Sequence, residues 1–163
     1  MNADAFRHFY NYHFGMNRYI WNTFIMPLPQ EQYVQEVAYS VGSVRNQVVH
    51  MANVDETWFR QLHNLDFINW REPSAFDDRD KLRAEWDQIE QMMRGYLADL
   101  RDDMLFTKPF PDHDEDKDLI LWQVLLHVVN HGTDHRAQLL RLLNDLGVKT
   151  VPQDYVFYAY DHP

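Results

Sequence analysis

The chain has 163 residues, 45% of them apolar and 15% aromatic, with five glycines and no cysteine; this composition fits one folded domain and excludes disordered and disulfide-framed proteins. Its 25 acidic against 15 basic residues leave a formal charge of -10, which repels phosphate backbones and anionic lipid surfaces, so neither nucleic acid nor membrane is an expected partner. Without cysteine there is no thiolate zinc site, iron-sulfur cluster or cysteine nucleophile, and any metal must be held by nitrogen and oxygen.

At the N-terminus, MNADAFRHFYNYHFGMNRYIW has no basic segment followed by a continuous apolar one, and no run of eighteen apolar residues occurs anywhere, so a cytoplasmic protein is expected. Aromatic and apolar residues recur at helical spacing from Ala3 to Met26 and stop at Pro27 and Pro29, which predicts a first long helix. LPQEQYVQEVAY then reads as a short helical turn. A second long helix is predicted from about Ser43 to His63, packing through Val44, Val48, Met51, Val54, Trp58 and Leu62, with His50 in its middle.

After the loop NLDFINWREPSAFDD, Asp77 or Asp78 caps a third helix whose stripe is Leu82, Trp86, Ile89, Met93, Tyr96 and Leu97. The segment from Arg101 to Asp118 carries two prolines and a charge cluster and reads as a long excursion. A fourth helix is expected from near Asp118 to Leu146, with Gly147 as its C-cap residue. Residues 148–163 form an aromatic tail packed on or near the bundle. The prediction is an all-α single domain, 1–163, built as a four-helix bundle that runs up and down with a longer excursion before the last helix.

The fourth helix contains HVVNHGTDHRAQLLRLL, with histidines at 127, 131 and 135. Residues four apart lie on one helix face, so His127 with His131, or His131 with His135, is able to chelate one ion. All three together are not, because eight residues rise about 12 Å. A third ligand must come from another helix, and mid-helix His50 leads the candidates, ahead of His8, His13, His63, His113 and His162. The same stripe would also suit hydrogen-bonded core positions or a solvated edge, and residue spacing leaves these readings open. Position 132 is glycine, so the glutamate base of an H-E-x-x-H peptidase is missing.

In YNYHFGMNRYIW, VVHMANVDETWF and HVVNHGTDHRAQLLRLLNDLG, taken in this order, the chain resembles the DinB family of four-helix proteins, also described as DinB/YfiT-like metalloenzymes. The resemblance spans most of the chain and is weakest over 64–117. It implies that His50, His131 and His135 are the ligands of a divalent metal ion such as zinc, nickel or iron, with His127 beside them. It implies further a small-molecule enzyme in which the ion activates a thiol or water, S-transferase-like with a low-molecular-weight thiol such as bacillithiol or mycothiol as cosubstrate or else hydrolase-like, and a homodimer. The competing expectations are a non-catalytic metal-binding or stress-response protein and a plain helical dimerisation domain. Asn46 and Asn53 flank His50, and Asp134 and Gln138 flank the later pair, as hydrogen-bonding supports. By the same resemblance Asn17 is expected to line the pocket, and Arg136 to tie helices together.

Overall fold

A computed structural model describes residues 1–162, and among them there is no strand. Six α-helices follow in order: α1 (Ala3–Ile20), α2 (Gln30–Val34), α3 (Val44–Leu62), α4 (Arg79–Asp99), α5 (Leu121–Asp145) and α6 (Tyr155–Asp161). The fold is all-α, and its four long helices α1, α3, α4 and α5 form the bundle. No described helix is long and apolar enough to cross a membrane.

Local chemistry sets the ends of these helices. The Asn2 side chain accepts the Ala5 N–H and starts α1, Ser43 does the same for Asn46 at α3, and Asp78 accepts from Asp80 and Lys81 at α4. The predicted first helix is continuous only to Ile20; Trp21–Ile25 form a π-helical turn, whose wider winding sends Trp21, Phe24 and Ile25 all inward. The fourth predicted helix starts later than the acidic residue suggested. Asp118 is drawn off by Lys108 at 2.7 Å, and α5 begins at Leu121, where the Gln123 side chain takes the Ile120 N–H. Gly147, with φ of +86°, closes the far end.

Residue pairings give the direction of each helix. Arg7 reaches the carbonyl of Leu97 while Arg18 meets Asp87, so α1 and α4 run opposite ways. Gln47 meets His135 and His50 meets His131, so α3 and α5 are antiparallel. Tyr10 donates to the Leu125 carbonyl and Arg136 reaches Asn17, so α1 and α5 are parallel. The order is therefore up, down, down, up, which corrects the up-and-down course expected for the bundle at its third long helix. The physical reason lies in segment 63–78, long enough to carry the chain back along the bundle so that α4 repeats the direction of α3. The excursion before α5 includes a short 3-10 turn, Asp102–Phe106, that buries Leu105.

The core is rich in aromatics, with Phe6, Tyr10, Trp21, Tyr33 and Phe59 almost wholly out of water. In the tail, Tyr155 of α6 stacks on Phe9 with ring centroids 4.8 Å apart, and Gln153 reaches into the bundle to Arg136 and the Thr133 carbonyl.

Candidate metal centre

Because α3 and α5 are antiparallel neighbours, the middle of one faces the middle of the other, and His50 comes up against His131 and His135. One ring nitrogen from each of these three residues lies within 4.8 Å of the others. The Nε2 atoms of His50 and His131 are 3.2 Å apart, and the His131 and His135 rings are 4.2 Å apart between centroids. Two nitrogens bound at 2.0–2.1 Å to one tetrahedral ion would sit about 3.3 Å apart. The His50–His131 separation thus already fits a shared ion. The His131 Nδ1 atom is buried without a hydrogen-bond partner, so this ring's hydrogen bonding within the protein is confined to the Nε2 contact with His50.

The electrostatics suit the same role. Burial pushes the His131 pKa down to about 4, helped by the nearby His135 and His50 rings. His50 is lowered by burial and by His135, and His135 by burial. At neutral pH these side chains are uncharged, so coordination does not have to overcome the repulsion of an imidazolium. All three are only partly buried, which leaves room for a further ligand, and an open hollow of about 530 Å³ adjoins His131, lined also by His127, Asn130 and Asp134.

The supporting polar group is one that sequence reasoning missed. Gln47, almost fully buried one turn before His50, places its amide nitrogen 2.8 Å from His135 Nδ1 and 3.2 Å from the His135 carbonyl. Its own carbonyl oxygen accepts from Ser40, which also bonds Gln138. The i, i+3 spacing of Gln47 and His50 was the available signal, but a glutamine on a helix usually reads as a solvated residue.

The expected supports around His50 lie elsewhere. Asn46 donates to Glu36 and the Val41 carbonyl, and Asn53 binds the backbone of Arg71. Gln138 donates to Asp134 and reaches the site only by way of Ser40 and Gln47. His127 is exposed, edge-on to Trp58 at 5.2 Å and next to His131 at 5.9 Å, while Trp70 stands edge-on to His50 at 5.7 Å.

Asn17 does not line this pocket. It turns toward α5 and joins a separate buried group, in which Arg136 donates to Asn17 Oδ1 at 3.0 Å, lies 3.1 Å from His13 Nδ1, and bonds Thr133 and Gln153. His13, ranked low in the sequence, is fully buried and 3.6 Å from the Asp55 carboxylate, which also accepts from Trp86 at 3.2 Å. Arg136 ties helices together, as its position in the motif suggested. Of the other histidines, His8 edges against Tyr155, His63 reaches the Met92 carbonyl, His113 stacks on Phe110 and His162 stacks on Tyr158.

The DinB family model matches residues 1–162. Protein DinB of Bacillus subtilis (strain 168) is 26% identical over 170 aligned positions, covering 98% of this chain and 96% of that protein. A match over essentially the whole length assigns the chain plainly: it belongs to the DinB family.

Proposed function

We propose that the protein is a metal-dependent enzyme acting on a small molecule, with His50, His131 and His135 as the ligands of a divalent ion. The observation that carries this reading is the convergence of three ring nitrogens from two helices within 4.8 Å, at positions only partly shielded from solvent. When bound, such an ion supplies Lewis acidity and lowers the pKa of a thiol or water in its open position. A low-molecular-weight thiol is the nucleophile that the family resemblance implies, and an exogenous thiol suits a chain with no cysteine of its own. Zinc, nickel and iron all suit imidazole ligands.

The protein's side chains have defined parts in this reading. Gln47 fixes the rotation of the His135 ring, and the antiparallel contact of α3 and α5 holds His50 across from the pair. Trp70 stands edge-on to His50 and Trp58 edge-on to His127, so aromatic rings flank the cluster, while the hollow beside His131 offers a reactant the polar side chains of Asn130 and Asp134. The partial exposure of the cluster favours this over an ion that only braces the bundle, for which a closed site is the rule.

Metal analysis of untagged protein, paired with thiol-transfer assays over several thiols and electrophiles, tests the reading. His131→Ala should remain helical by circular dichroism yet lose stoichiometric metal and the activity. A folded, metal-free variant that kept the activity would overturn it.

A further inference from the structure

At the C-terminal end of α3 lies a cleft of about 560 Å³ that takes no part in the histidine cluster. Two loops form it, 64–67 and 108–113, with Gln61 from the last turn of α3. Gln61 is eleven residues beyond His50, about 16 Å further along the helix. The first loop is pinned in place: Asn64 adopts a positive φ of 54°, the Leu65 N–H returns to the Arg60 carbonyl, and Arg60 Nε donates to the Asp66 carbonyl at 2.9 Å.

The lining is chemically mixed in a specific way. Three rings meet in it, with His113 set against Phe110 at 5.8 Å and against Phe67 at 5.6 Å. Phe67 is 63% exposed and Leu65 46%, so apolar side chains face open water at the rim. Asp66 and Asp112 also line the cleft, and neither carboxylate has an ion-pair partner among the described residues. The cleft's lysine, Lys108, is already held by Asp118 at 2.7 Å. The Gln61 side-chain oxygen has no hydrogen-bond partner, so turning that amide toward a donor in the cleft breaks no existing bond.

We propose that this cleft binds a small organic cation, an amine carried on a flat apolar body. The rings offer a stacking surface and negative π-faces, the two unpaired carboxylates set the preferred charge, and Gln61 supplies an acceptor for the amine protons. An anionic ligand would meet both carboxylates and find the lysine occupied. The site goes beyond the metal reading and does not depend on it, although Trp58 touches both Phe110 of the cleft and His127 beside the cluster.

Titration of the isotope-labelled full chain with phenethylamine, and separately with hydrocinnamate as its anionic counterpart, tests the proposal by NMR. The amine should shift the amides of Leu65, Phe67, Phe110 and His113, and should bind about fivefold or more tighter than the carboxylate. Phe67→Ala, at an exposed position, should weaken the amine about threefold. Asp66→Asn combined with Asp112→Asn should abolish the preference for the amine. His131→Ala should leave amine binding unchanged, so loss of the metal reading would leave this result standing. Absence of shifts in the cleft, equal binding of the carboxylate, or an unaffected Phe67→Ala variant would overturn the proposal.

Discussion

Gly132 sits between the two histidines that α5 sends toward His50, and its missing side chain is what lets α1 come close. A methyl group there would lie 2.3 Å from Cε1 and 2.6 Å from Nδ1 of the buried His13 ring. That ring is held by Arg136 and faces Asp55, so it has little freedom to retreat. Gly132→Ala should cost about 2 kcal/mol in urea unfolding through overpacking. Gly95, exposed within α4 with nothing within 4 Å of a added methyl, should respond oppositely, with Gly95→Ala stabilising by about 0.5–1 kcal/mol. Protonation provides a second test at this scale. His131 has a folded pKa of about 4 against 6.5 when unfolded. Between those values the unfolded chain binds more protons, so stability is lost as pH falls from about 6.5 to 4 and is pH-independent for this group above that window. Thermal scans of chelator-treated protein should show this decline, and His131→Gln should make it shallower.

The helices themselves were legible because their signals are local. Asp78 before DKLRAEWDQIE and Gly147 after the last apolar stripe act within one turn, and the structure uses both as caps. The start of α5 was misplaced because the fate of Asp118 depends on Lys108, ten residues earlier and outside any helical pattern. Gln47 and His13 were missed for a related reason: each is defined by partners 88 and 123 residues away, on helices whose rotation no local spacing reveals. The histidine cluster was more accessible, since two of its members share one face of one helix and the third stands mid-helix in an apolar run. Arg136 shows what the distant partners contribute to α1, α5 and the tail together. Removing it in Arg136→Met would strand buried polar atoms of Asn17 and His13 and free Gln153, and should destabilise the protein by about 3 kcal/mol in chemical denaturation. Arg136→Lys should recover little, because one ammonium cannot span the same set of acceptors.

At the scale of the whole molecule, an ion held by the three histidines would join α3 to α5 across 81 residues of sequence. Binding to the folded state alone raises stability by mass action, about 2.7 kcal/mol when free metal is 100 times its dissociation constant. A rise in melting temperature with added zinc or nickel, absent in His50→Ala, is the expected result of calorimetry. The up, down, down, up course of the bundle has a consequence for how the chain acquires this shape. The helices next to each other in sequence form no antiparallel hairpin between bundle neighbours, since α3 and α4 are parallel and the sides of α1 are closed by α4 and α5. As the chain leaves the ribosome, α1 must wait for the far end of the sequence before its aromatic face is covered. Folding should therefore be slower than for a bundle of simple hairpins, with the docking of α1 as a late event.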